Sequence, residues 1–208
     1  MSVEKIKTIV EIGSNNGSHT MNFVNEENTF VWCFEPVPIL FEQLKEKFKN
    51  YNNIKIFNNA ISDFNGYSKF GISDPNVGAA DYGCSSLNEF SDNIKDKWSN
   101  RPDFNFIETI DVEVIRMDKF ILENNITEID YFHCDAQGND FKILKSFGDK
   151  LNIIKSGVVE ASCSISLYKV DNTAESIINF LEENGFKILN RSDIGVSSPE
   201  IDINFEKI

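Results

Sequence analysis

Short apolar blocks and helix-spaced apolar positions alternate along most of the chain. Thr8-Ile9-Val10-Glu11-Ile12 is a β-branched run that stops at Gly13, which predicts a buried strand. A helix is expected over 18–25, then a strand at Phe30-Val31-Trp32-Cys33-Phe34. Pro38 suits a first helical position, and Leu40, Phe41, Leu44 and Phe48 recur behind it at helical spacing. Ile54-Lys55-Ile56-Phe57 predicts a third strand, and a hairpin piece is expected near 67–72. Further strands are predicted at 107–116, 129–135 and 153–160. Asp118 is placed to cap the short helix after the first of these, and a helix over 139–147 stops at Gly148. Asn172-Thr173-Ala174-Glu175 has capping-box spacing ahead of an apolar stripe at Ala174, Ile177, Ile178 and Leu181. Gly185 ends that helix, and 186–189 with 201–205 are expected to pair as closing strands.

Strand and helix in alternation imply an α/β fold: a mostly parallel sheet covered on both faces, with an antiparallel hairpin at one edge. The 208 residues read as a single domain over 1–208. The stretch 73–106, rich in Gly, Ser, Asn and Pro, is too long for a connector. It reads as a binding lid or a disordered segment, and as a lid it would offer Tyr82, Phe90, Trp98 and Phe104 as stacking surfaces for a ring. The same rings would equally tack the loop to the core.

Charge narrows the partners. The formal net charge is -13, from 33 acidic and 20 basic residues, and such a field repels nucleic-acid phosphates. No apolar run is long enough to span a bilayer and the N-terminus lacks a signal-peptide core, so a cytoplasmic address is expected. The four cysteines, Cys33, Cys84, Cys134 and Cys163, form no C-x-x-C pair, so no metal site is expected from them.

In open α/β sheets ligands bind beyond the carboxyl ends of the strands, and the candidate chemistry sits at such tips. The first strand runs into Glu11-Ile12-Gly13-Ser14-Asn15-Asn16-Gly17. This loop is neither the G-x-G-x-x-G of dinucleotide enzymes nor a P-loop. A carboxylate at Glu11 suits a ligand carrying an ammonium group, although a tight turn beside an ordinary acid would read the same. Glu35, before Pro36, ends the second strand, where an acid can accept hydrogen bonds from ribose hydroxyls. Asn59 and Ala60 follow the third strand. Asp135 and Glu160 end two apolar strands, where they can share a proton, bind a cation or hold a substrate hydroxyl. His133, two residues before Asp135, is a candidate general base or else a core histidine. His19, in the first helix, reads as structural or exposed.

Taken in order, Glu11–Gly17, Cys33-Phe34-Glu35-Pro36-Val37-Pro38, the 59–66 segment beginning Asn59-Ala60-Ile61-Ser62, Gly83-Cys84-Ser85-Ser86-Leu87, the 129–138 segment ending Asp135-Ala136-Gln137-Gly138, and Val158-Val159-Glu160 resemble the motifs of FkbM-like methyltransferases. The resemblance spans about Lys7 to Phe205. It implies a Rossmann-like class I methyltransferase fold and S-adenosyl-L-methionine as cofactor. It also implies methyl transfer to a hydroxyl of a sugar, glycan or natural product. It places Glu11, Gly13, Ser14, Asn15 and Gly17 at the methionine part, Glu35 and Pro36 at the ribose, and Asn59 and Ala60 near adenine. Ser85 and Ser86 would lie over cofactor or acceptor, and Asp135 beside the sulfonium. The catalytic candidates are Asp135, His133 and Glu160, and a divalent cation between Asp135 and Glu160 is the less favoured alternative. The family often has Lys where His133 stands and Glu where Gln137 stands, so a non-catalytic cofactor-binding protein remains the second reading.

Overall fold

A computed structural model describes residues 5–78, 82–92, 94, 101–163, 166–191 and 200–208. Its principal sheet has seven strands. At the centre are β1 (Lys7–Ile12) and β7 (Tyr131–Cys134), paired in parallel with Glu11 opposite His133. β2 (Thr29–Phe34) and β3 (Ile54–Phe57) continue outward from β1. β8 (Ser156–Ser162) continues in parallel from β7. β10 (Glu200–Lys207) then pairs antiparallel with β8, and β9 (Phe186–Arg191) antiparallel with β10. The spatial order is β3-β2-β1-β7-β8-β10-β9. Strand order therefore reverses between β1 and β7, and a crevice opens there beyond the strand ends.

The central strands are mostly apolar on both faces, with Glu11 and His133 as polar positions toward the first helix. Val10, Ile12, Trp32, Phe34, Phe132 and Cys134 bury one face. They meet α3 (Met117–Glu123), α4 (Asp140–Ser146) and α5 (Ala174–Glu183). Ile9, Val31 and Cys33 bury the other against α1 (Ser18–Val24) and α2 (Pro38–Lys47), through Val24 and Leu44. Among the described residues no helix is long and apolar enough to cross a membrane. Gly17 sits at φ 74 before α1, and a Cβ there would meet Leu44 and Phe48 at 2.6–2.8 Å, so the turn requires glycine.

The structure departs from the sequence expectations at four points. The strands at 66–73 and 106–115 form, but outside the principal sheet. β6 (Phe106–Ile115) pairs in parallel with β4 (Ala60–Ile61) and antiparallel with β5 (Gly66–Ser73), in a separate three-stranded sheet. The later half of β6 is one-faced: Val112 and Val114 are buried while Asp111 and Glu113 face solvent. A strand wetted on one face suits this peripheral, mainly antiparallel pairing rather than the centre of a parallel sheet. Asp118 is not the N-cap of α3; Arg116 holds that place, and Asp118 accepts from the Arg116 guanidinium within the first turn. After Gly148 the chain winds into a 3-10 turn through Ile153, which delays β8 to Ser156. The cap of α5 is Thr173, whose hydroxyl accepts from Ser176 N at 3.2 Å, one residue later than the capping-box reading. Asn172 is fully buried instead and accepts from Phe141 N.

For the 73–106 stretch, the structure divides its rings between the two readings that the sequence leaves open. Phe90 and Phe104 turn inward, with the Phe90 ring packed on those of Phe104, Phe106 and Tyr168 at centroid distances of 4.6–5.8 Å. They tack the segment to the body, while Tyr82 reaches the cleft. Trp98 lies outside the described residues.

Candidate active site

A cleft opens at the β1/β7 reversal, with Gly13, Glu35, Asp135 and Asn139 among its walls. Gly13 forms its floor. Its φ is 80°, and a Cβ would stand 1.8 Å from the Asp135 carbonyl oxygen. Only glycine lets the β1 tip and the β7 tip approach so closely. Gly13 N and Ser14 N both donate to the Phe34 carbonyl at 3.1 Å, which ties the loop to the end of β2.

Glu35 stands at that end, 4% exposed. Its two carboxylate oxygens accept from Asn15 N and Val37 N, each at 2.8 Å. Burial pushes its carboxyl up to about 7 even against those two donors. Asn58 donates to the Glu35 and Pro36 carbonyls and fixes the backbone around it. Asn15 lines the cleft, and its Oδ1 is buried without a hydrogen-bond partner.

The opposite wall is built on β7 and the loop after it. Gln137, in the left-handed region at φ 50, donates to Asp135 Oδ1 at 2.8 Å and to Glu160 Oε2 at 3.2 Å. Its Oε1 accepts from the fully buried Tyr168 hydroxyl at 2.9 Å. Ser86 holds the same loop by donating to the Gln137 carbonyl at 2.7 Å. Burial and the neighbouring Asp135 push the Glu160 carboxyl well up. Asp140 accepts from Ala136 N, and burial lifts it to about 7. Apolar side chains of Val37, Leu40, Ile61, Phe70 and Leu87 supply a flat-ligand pocket between these polar walls.

Of the residues expected to hold a cofactor, Gly13, Asn15, Glu35, Pro36, Asn59, Ala60 and Asp135 line this cleft. Glu11, Ser14, Gly17 and Ser86 stand behind it. Glu11 is buried against α1, accepts from the Thr20 hydroxyl, and is pushed up to about 7 by burial. Ser14 is buried against the Cys33 thiol at 2.7 Å. The three catalytic candidates separate. Asp135 lines the cleft, and Glu160 lies behind Gln137. His133 is on the sheet face toward α1, with its ring 4.6 Å from that of His19, and burial lowers it to about 4, so it is neutral.

The sequence reading missed Asn139 and Tyr168. Asn139 lines the cleft and donates to the Ile61 carbonyl at 2.6 Å. Tyr168 positions Gln137. Asn139 directly follows the Asp135–Gly138 tip, and that adjacency is the signal that could have found it; Tyr168 stands in no local motif and is brought in by the fold.

A model of the FkbM methyltransferase domain matches residues 11–188. The chain belongs to this family. Among curated proteins it is 25% identical over 178 residues to the 2-O-methyltransferase NoeI of Sinorhizobium fredii, covering 83% of this chain and 70% of that protein. A solved FkbM methyltransferase from Methylobacillus flagellatus superposes with a TM-score of 0.59 at 13% identity, over 96% of this chain. The chain spans 43% of that longer protein. TrmK of M. capricolum, solved with S-adenosyl-homocysteine, superposes with a TM-score of 0.52 at 9% identity, over 99% of this chain and 64% of that one. These structural likenesses show the fold: a Rossmann-like, mostly parallel α/β domain with its antiparallel edge.

Proposed function

We propose that the domain transfers a methyl group from S-adenosyl-L-methionine to a hydroxyl of a sugar, glycan or natural-product acceptor. The observation that carries this reading is the pair of acidic walls. Glu35 closes the β2 side of the cleft and Asp135 the β7 side, with apolar walls between. The Asp135 carboxylate complements a ligand with ammonium and sulfonium charges, and Glu35 offers acceptors for the ribose hydroxyls of the same ligand. Family membership and the 2-O-methyltransferase relative support the reaction class.

The residues present fit this cofactor. Asn15 Oδ1 has no protein partner and stands beside the cleft, ready to accept from a ligand donor. Glu35 keeps a second lone pair on each oxygen after its two backbone bonds, which suits a pair of ribose hydroxyls. Val37, Leu40, Ala60 and Phe70 suit the adenine ring. The bound cofactor supplies a methyl carbon already activated by positive sulfur.

The chain's own task is then alignment and proton removal. Holding an acceptor oxygen in a near-attack position contributes on the order of 7–11 kcal/mol. Asp135 is the base of choice, because it alone of the three candidates lines the cleft. Gln137 holds one of its oxygens and leaves the other for the acceptor hydroxyl. Tyr82, Gly83, Ser85 and Leu87 border the cleft from the expected lid and would select the acceptor. The net charge of -13 argues against a nucleic-acid acceptor.

Thermal unfolding with S-adenosyl-homocysteine, against NAD and ATP, tests the cofactor. Ligand at about 100 times its dissociation constant adds about 2.7 kcal/mol, or roughly 5–10 °C for a chain of this size. A rise with NAD alone would overturn the assignment. A second reading, a cofactor-binding protein without catalysis, draws on Gln137, which already engages both Asp135 and Glu160. Methyl transfer to a saccharide panel separates the two.

A further inference from the structure

On the far side of the β1 tip from the cleft, three potential metal ligands converge. Glu11 and His133 are register partners on adjacent strands, and His19 reaches them from α1. One ligand atom from each residue lies within 4.8 Å of the other two. We propose that Glu11, His19 and His133 form a binding site for one divalent transition-metal ion of the Zn(II) type, separate from the methyl-transfer cleft.

Four observations argue for it. The donor set is two imidazole nitrogens and one carboxylate oxygen, which suits Zn(II), Co(II) or Ni(II) rather than Mg(II) or Ca(II). His133 Nδ1 is buried without a hydrogen-bond partner. An unsatisfied buried ring nitrogen asks for an explanation, and an ion in this pocket gives the imidazole pair one. The two rings meet edge to face with centroids 4.6 Å apart, close enough for one ion to reach a nitrogen of each. The Thr20 hydroxyl, itself fully buried, donates to Glu11 and fixes its carboxylate, as outer partners of metal ligands do.

The geometry closes with little movement. Ligand atoms around a tetrahedral Zn(II) at about 2.0–2.1 Å stand roughly 3.4 Å apart. His19 is exposed, so its side chain can supply the remaining approach, and the same exposure leaves a fourth position open to water. Such an ion would staple α1 to β1 and β7. Glu11 precedes the Ile12–Gly13 floor of the cleft by one residue, and His133 precedes Asp135 by two, so the staple would also hold the cleft's two tips.

The test is equilibrium dialysis of the chelator-treated chain against Zn(II), with Co(II) absorption as a second readout. The wild-type chain should bind one equivalent and show Co(II) bands of a nitrogen- and oxygen-ligated site. His19→Ala, at an exposed position, should weaken binding at least 100-fold, and His133→Gln should do the same. Cys163→Ser should leave binding intact, since that exposed thiol is no part of the site. No stoichiometric binding by the wild-type chain would overturn the proposal. So would tight binding by folded His19→Ala, or loss of binding in Cys163→Ser.

Discussion

Glu35→Gln separates the energetic burden of the cleft from its function. In the folded chain burial raises the Glu35 carboxyl from 4.5 to about 7. A folded-state value above the unfolded one means that the folded chain holds the proton more tightly. Its favourable contribution is therefore complete below about pH 4.5 and disappears as pH rises through about 7. At 1.36 kcal/mol per unit the full shift is worth about 3 kcal/mol, most of which falls between pH 5 and pH 8. Glutamine cannot ionise, so that part of the pH dependence should vanish. Its amide nitrogen would face one of the two backbone N–H donors now bound by carboxylate, a loss of about 1–3 kcal/mol that does not vary with pH. Urea unfolding of both proteins at the two pH values, without ligand, isolates the linked part. From pH 5 to pH 8 the wild-type unfolding free energy should fall by about 2–3 kcal/mol more than that of the variant. Parallel curves would refute the reasoning. Binding of S-adenosyl-homocysteine should weaken in the variant even where its stability recovers, because the carboxylate proposed to accept from the ribose has been altered.

Asp135→Asn should lower methyl transfer by about 10²–10⁴-fold while changing S-adenosyl-homocysteine affinity much less, read from turnover against calorimetry. Gly13→Ala should fold poorly, because its methyl group would overlap the Asp135 carbonyl at 1.8 Å, and soluble yield with a melting curve checks this. Thr173→Ala removes the side-chain cap of α5 and should cost about 1 kcal/mol, a fall of about 2–4 °C in Tm. The same fall in Thr173→Ser would contradict the capping account, since serine keeps the hydroxyl.

The sequence by itself determined the central strands, the helices and the reaction class. Runs such as Thr8–Ile12 and Phe30–Phe34 are short, rich in β-branched and aromatic residues and apolar at most positions, which suits a strand buried between two layers. Glu35 and Asp135 were legible as candidates because a carboxylate at the end of an apolar strand is costly without a purpose. Tertiary structure decided the rest. That β6 leaves the principal sheet depends on its pairing with β5 across the 73–106 segment, a contact no local pattern records. The separation of His133 from Asp135 follows from where the strand stops: β7 ends at Cys134, so His133 stays on the sheet face that meets α1 while Asp135 stands in the loop beyond and meets the cleft. Tyr168 reaches Gln137 across 31 residues of chain, and His19 reaches His133 across more than half of it. Such partners are chosen by the order of strands in the sheet, which places residues remote in the chain within a few ångströms of one another.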